Sequence, residues 1–184
     1  PADEIIKRSG EQNLIIMGTT GEGGILNKVF GSVSSAVAQR ADCPVILVPS
    51  DAEFKPIHHI LYASHYEAAD QRMVAQLLEF NRTFQAQVHF VHIKGADSDR
   101  FDRDKEQIFT TLFAEGEPPF AFEIAELEAD SVSEALNEYA TQHHTELVVL
   151  VTRKRNVWEQ LFHKSQTRNM ARISRKPVMV LHLN

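Results

Sequence analysis

An internal repeat at a fixed spacing constrains this chain more than any other feature. Asn13 to Gly18 reads NLIIMG and Glu146 to Val151 reads ELVVLV, an offset of 133 residues (146 − 13). Cys43 to Val48 reads CPVILV and Lys176 to Leu181 reads KPVMVL, each with proline in second place, and Pro44 and Pro177 again stand 133 apart (177 − 44). Between these runs, Ile25 and Val29 correspond to Trp158 and Phe162, both pairs at i and i+4, and Ser32 corresponds to Ser165. Four landmarks that keep one offset over about 36 residues, without a gap, predict a duplicated unit. The aliphatic runs suit strands buried on both faces of a parallel sheet, and the i, i+4 pairs suit a helix laying one apolar face on it.

Pro49 to Pro56 is polar and bounded by prolines, with Ser50, Asp51 and Glu53, which predicts a linker over 51–56. Strand and helix patterns alternate after it. A strand is expected over Ile57–Ser64, then a helix over Asp70–Gln85 with Met73, Leu77, Leu78 and Phe84 inward and Asp70 as its cap. A strand over Val88–Ile93, an amphipathic helix over Asp102–Glu115 and a strand over Phe120–Leu127 follow. The last new helix is Ser131–His143, with Val132, Leu136 and Tyr139 inward, before the second copy of the repeat. Five strands alternating with helices over 57–184 predict a doubly wound α/β domain, because parallel neighbours need crossovers and helices must cover both faces. Residues 1–50 hold only a helix end, a strand, a helix and a strand. They are expected to be the C-terminal part of a first copy, with roughly 80 equivalent residues upstream of Pro1.

The formal net charge of −6 and pI near 5.8 argue against binding nucleic acid through a sequence-wide basic field, while leaving a free nucleotide compatible. Cys43, the single cysteine, excludes an intrachain disulfide and a cysteine zinc cage, so a reducing cytoplasm is the expected compartment and the thiol is expected to fill core. No run approaches the roughly 20 apolar residues of a membrane span, and no signal-peptide pattern is present, so a soluble protein without a membrane partner is expected.

The chemistry sits in the first copy's loop. Gly18-Thr19-Thr20-Gly21, nine residues from Glu22 to Phe30, and Gly31-Ser32 follow a buried strand and precede the helical pattern SVSSAVAQRA. Beyond the carboxyl end of a parallel strand, a helix N-terminus offers unpaired N–H groups and a partial positive charge to phosphate. Glycines let the phosphate approach the backbone, and Ser32 can bond phosphate or cap the helix. Shaping turns and capping a helix would need the same residues, so that reading stays open. A Walker loop does not fit, since Lys28 is not followed by a hydroxyl residue and lacks the preceding glycine spacing.

The pattern G-2x-G-9x-G-S, ending twelve residues before Pro44, resembles the ATP-binding motif of universal stress proteins. The resemblance implies a flavodoxin-like (adenine nucleotide alpha hydrolase-like) parallel sheet of order 3-2-1-4-5. It further implies a homodimer or pseudo-dimer joined through the last strands, and an adenine nucleotide, ATP with magnesium, held at Gly18, Thr19, Gly21, Gly31 and Ser32. In the second copy Gly18, Gly21 and Gly31 correspond to Val151, Lys154 and Lys164, and only Ser165 is kept. The aspartate that usually ends the family's first strand aligns with His65. The second copy is therefore expected not to bind ATP in the family's manner. Its Arg153, Lys154, Arg155 and Lys164 suit either another anion or, as the favoured reading, a solvated loop.

Most of the nine histidines have ordinary explanations: His58 and His59 open a strand, His143 and His144 end a helix, and His182 closes the last strand. His65 and His92 are expected at the carboxyl ends of adjacent strands without a third ligand at zinc spacing, so no metal site is assigned. No nucleophile elbow, carboxylate pair or Ser-His-Asp set is identifiable, so no catalytic residue is assigned and slow ATP hydrolysis stays open. Two classes remain, a nucleotide-responsive stress protein and a ligand-free dimerisation or interaction scaffold.

Overall fold

The computed structural model describes residues 1–19, 32–64, 71–94, 106, 110, 113–114, 116–117, 119–129, 132–153 and 176–183. Four helices, α1 (Ala2–Ser9), α2 (Ser32–Arg40), α3 (Gln71–Asn81) and α4 (Val132–Gln142), accompany seven strands among these residues. The strands are β1 (Ile15–Gly18), β2 (Val45–Val48), β3 (His59–Ser64), β4 (Gln87–Lys94), β5 (Phe122–Glu128), β6 (Leu147–Arg153) and β7 (Val178–Leu183). They form one sheet of order β1-β2-β7-β6-β3-β4-β5. Every neighbouring pair is parallel except β2 and β7, which run antiparallel.

From β3 onward the strands stand in the order third, second, first, fourth, fifth, as the resemblance implies. The aliphatic runs of β2, β6 and β7 are buried, whereas β1 stands at the sheet edge with Ile16 64% exposed and Ile15 and Met17 only partly buried, so the first run is not the doubly covered strand its sequence predicts. Val45, Leu47, Val148, Leu150, Val178 and Val180 face one way, toward Val37, Ala38 and Ala41 around α2 and Leu136, Tyr139 and Ala140 of α4. Ile46, Val149, Val151, Met179 and Leu181 face the other way, toward Met73, Val74 and Leu77 of α3. A two-residue period sends alternate side chains to opposite layers, so a run without polar residues is what a doubly covered strand requires.

The register carries the repeat into space. Ile15, Ile16, Met17 and Gly18 pair with Val45, Ile46, Leu47 and Val48. Shifted by 133 residues, these become Val148, Val149, Leu150 and Val151 paired with Val178, Met179, Val180 and Leu181, and those pairs are all present. The shift also carries α1 onto the last eight residues of α4. Between the copies, Val45 pairs with Val180, Ile46 with Met179 and Leu47 with Val178. The same shift exchanges the outer two pairs and leaves Ile46–Met179 unchanged, which is the signature of a local two-fold axis at that pair.

Several expectations need correction at their edges. The helix expected to Gln85 ends at Asn81, and Phe84 is exposed rather than inward. Asn81 is fully buried; its Nδ2 donates to the Ala86 carbonyl and its Oδ1 accepts from the Ala86 N–H, both at 2.9 Å, while Gln85 turns through a φ of +50°. That side chain takes over the groups a continuing helix would have used. Strand β3 starts at His59, not Ile57, because the Glu146 carboxylate accepts the N–H groups of both His58 (3.0 Å) and His59 (2.8 Å). Cys43 is buried and its thiol is pushed up by burial, as core filler should be. The Asp70 cap and the sequence matches at Ile25, Val29, Trp158, Phe162 and Ser165 lie outside the described residues. Of the Asp102–Glu115 helix only isolated residues are described, with Thr110 Oγ1 donating to the Glu106 carbonyl at 2.8 Å.

Candidate functional site

Because β2 and β7 are antiparallel, the carboxyl end of β1 lies on the same rim of the sheet as the amino ends of β3, β4 and β5. That rim carries two separate groups of chemistry-bearing residues.

The first lies where β1 leads to α2. Gly18 is the last residue of β1, aligned with Val48, and its position in the chain is exposed. Thr19 is buried, and its N–H donates to the Val48 carbonyl at 3.0 Å. Its own carbonyl accepts from the buried Ser34 hydroxyl at 3.2 Å. Ser34 lies in the first turn of α2, so this bond fastens the helix start to the strand end. Ser32 opens α2, and the first turn holds no acidic residue. That first turn therefore sets no carboxylate of its own against the partial positive charge of the helix start. Gly21, Gly31 and the rest of 20–31 lie outside the described residues, so of the five expected contact residues Gly18, Thr19 and Ser32 are brought to one junction. In the second copy Val151 occupies the position of Gly18 with its side chain buried in the core. Lys154, Arg155, Lys164 and Ser165 lie outside the described residues, as does His65. His92 is buried near the carboxyl end of β4, aligned with Ser64 on β3.

The second group was not assembled by spacing along the chain. His89 on β4 is aligned with Glu123 on β5, and His59 at the start of β3 shares their face of the sheet. Tyr139 and His143, four residues apart at the end of α4, cover that face. Tyr139 and His143 stack with ring centroids 4.0 Å apart and planes 14° apart, and His143 meets His89 edge-on at 5.0 Å. The Tyr139 hydroxyl donates to Glu123 Oε1 at 2.6 Å and lies 3.2 Å from His89 Nδ1. On the other side of that ring, His89 Nε2 lies 3.2 Å from His59 Nδ1.

One proton fixes the rest of this chain of contacts. The tyrosine has a single O–H and spends it on Glu123, so His89 must donate through Nδ1 to the tyrosine oxygen and accept at Nε2 from His59. Burial holds His89 below the usual histidine range, against the opposing pull of the Glu123 carboxylate. Its 3.7 Å approach to Glu123 is therefore a neutral dipole contact, not an ion pair, near neutral pH. The tyrosine hydrogen bond is the main cause of a lowered Glu123 pKa, and burial, then Glu123, pushes the Tyr139 pKa well above its ordinary range.

No helix among the described residues is long and apolar enough to cross a membrane. In comparison with known proteins, a family profile described as the universal stress protein family matches residues 1–49 and 56–182. A universal stress protein of Mycobacterium tuberculosis is 35% identical over 51 residues, 28% of this chain and 17% of that protein. One from Methanocaldococcus jannaschii is 42% identical over 50 residues, 26% of this chain and 29% of that protein. The matched segments thus span well under half of these curated relatives. Among solved structures, a universal stress protein from Archaeoglobus fulgidus superposes with a TM-score of 0.70 at 17% identity, over 99% of this chain and 65% of that one. A universal stress protein in complex with cAMP superposes with a TM-score of 0.51 at 15% identity, over 70% of this chain and 98% of that one.

Proposed function

This chain belongs to the universal stress protein family, and we propose that its β1–α2 junction is the phosphate-binding half of an adenine-nucleotide site, with ATP and its magnesium ion as ligand. One observation carries the reading. The Ser34 hydroxyl, held 3.2 Å from the Thr19 carbonyl, ties a helix start with no acidic first-turn residue to the exposed Gly18 at the carboxyl end of a parallel strand. That is the arrangement in which backbone N–H groups and the helix dipole meet an anion. Gly18, Thr19, Gly21, Gly31 and Ser32 are the contact residues of this proposal. A fold relative in complex with cAMP supports an adenine nucleotide as the class to test.

Residues 1–50 act in this reading as the end of one domain and 57–184 as a second domain, with 51–56 the linker. The profile's break between 49 and 56 and the shared offset in register support the division. By that offset β1 corresponds to β6, whose second parallel neighbour is β3. The adenine half of the pocket would accordingly stand along the edge of β1 that β2 leaves open. The second domain is not an ATP site in this reading, since Val151, Lys154 and Lys164 stand where the first copy has its three glycines.

Calorimetric titration of magnesium-ATP into the intact, full-length protein tests this, with Gly18→Val copying the second domain's residue. About one site per chain, weakened at least tenfold by Gly18→Val, is expected. The antiparallel β2–β7 pairing favours a second reading, an interaction scaffold in which the two last strands serve as a dimer-like joint. Absence of ATP binding by the intact protein would move the function to that scaffold.

A further inference from the structure

We propose that His89, Glu123 and His143 form a binding site for a divalent metal ion of the zinc class, oriented by His59 and Tyr139. The site is independent of the nucleotide reading. It sits on the same rim as Gly18 but five strand spacings away across the sheet, about 24 Å at 4.7–4.9 Å per strand.

A ring nitrogen of His89, a ring nitrogen of His143 and a Glu123 carboxylate oxygen all lie within 4.8 Å of one another. Zinc bonds of about 2.0–2.2 Å to nitrogen and oxygen put tetrahedral ligand atoms about 3.3–3.6 Å apart, so small side-chain rotations close the set. His89 Nδ1 already stands 3.7 Å from Glu123 Oε1. Two imidazoles and one carboxylate are a recurrent donor set for zinc, and they leave a fourth position for water or an outside ligand. His89 is 2% exposed at the bottom of the site, whereas the Glu123 side chain is 41% exposed at its mouth, which provides an entry path.

The surroundings hold these three groups as metal ligands are usually held. Tyr139 donates to the Glu123 carboxylate at 2.6 Å, and its ring stacks on His143 and fixes that imidazole's plane. His59 Nδ1 faces the far nitrogen of His89 at 3.2 Å, where a ligating histidine ordinarily has its N–H engaged. Without metal His59, His89, Tyr139 and Glu123 still satisfy one another, with the His89 proton on Nδ1. With metal on Nδ1 that proton moves to Nε2 and is donated to His59 Nδ1, whose own proton moves to its Nε2. The two states therefore differ in the tautomers of both His89 and His59.

The experiment is titration of zinc into the chelator-treated full chain, followed by calorimetry and by the long-range proton–nitrogen correlations of the histidine rings. About one zinc per chain is expected, with the His89 resonance changing from the Nδ1–H to the Nε2–H tautomer. His143→Gln and Glu123→Gln, both at the open side, should each weaken binding at least tenfold, while His58→Gln and His144→Gln at exposed positions leave it unchanged. Absence of zinc binding at micromolar concentrations, binding indifferent to His143→Gln and Glu123→Gln, or binding without the tautomer change would each overturn the proposal. The tautomer readout needs only the unmutated chain, so it decides the matter even if a variant fails to fold.

Discussion

Burial sets the protonation of the histidine row, and this gives the metal-free protein a particular response to acid. His89 has a folded pKa below the 6.5 of an exposed histidine. As pH falls through 6.5 the unfolded chain takes up a proton there that the folded chain refuses, so stability is lost from about 6.5 downward until the folded group itself titrates. Glu123, lowered from 4.5, contributes stability present above 4.5 and lost below it as the carboxylate that accepts from Tyr139 is protonated. The groups facing His89 are Glu123 on β5, His59 on β3, Tyr139 on α4 and His143 in the turn just after it. Urea midpoints of the chelator-treated protein should fall between pH 7.5 and 5.5, and His89→Gln should be less stable at pH 7.5 yet show a shallower fall. An equal slope in the variant would mean that other groups govern the acid response. At a second residue, Lys176 Nζ donates to the carbonyls of Ala140 and Thr145 beyond the turn that ends α4, and burial lowers its proton affinity. Lys176→Met keeps the stem but removes the donor. It is expected to cost about 1–3 kcal/mol in chemical denaturation, and a neutral result would show that water replaces the ammonium there.

At the scale of elements, strands were more legible than helix ends, and the reason is physical. A strand buried on both faces needs an unbroken aliphatic run, which CPVILV, ELVVLV and KPVMVL display, whereas NLIIMG displays one at the sheet edge, where Ile16 is 64% exposed. A helix end depends on which side chain captures the last free backbone groups, and Asn81 does so from inside a pattern that continues to Phe84. Asn81→Ala should destabilise by about 2–4 kcal/mol, since both polar groups of Ala86 lose their partner in a buried turn. Asn81→Asp should not restore stability, because a carboxylate can accept from the Ala86 N–H but has no proton for its carbonyl. Full recovery in the aspartate variant would place the cost elsewhere than in this clasp. The histidine row was hidden for a related reason. His59, His89 and Glu123 stand 30 and 34 residues apart, and only the parallel order of β3, β4 and β5 brings their strand starts into one row. Aligning the amino ends of adjacent strands would have found them, whereas ligand spacing along the chain could not. The Gly18 loop was legible only as a pattern of residue types, the glycines that close approach to an anion would demand, and residues 20–31 lie outside the described residues.

The whole molecule poses the question of whether 1–50 and 57–184 stand or fall together. The joint between them is three residue pairs long and centred on Ile46 and Met179, with Val45, Leu47, Val178 and Val180 packed into one core on one face of the sheet. Leu47 is completely buried there, directly opposite Val178, while α1 and α2 lie over the same face. A core shared across the joint couples the parts, because removing a side chain from one leaves a cavity lined by the other. Leu47→Ala should therefore lower global stability by about 2–4 kcal/mol. The single tryptophan, Trp158, belongs to the other part and reports on it separately from the backbone as a whole. In one cooperative unit its fluorescence and the far-ultraviolet circular dichroism should shift to lower denaturant together in Leu47→Ala, with coincident midpoints. A tryptophan transition that ignores Leu47→Ala while the circular dichroism splits in two would mean that residues 57–184 fold on their own and that the β2–β7 ladder only docks the remainder. The fully buried register of that ladder favours the single transition.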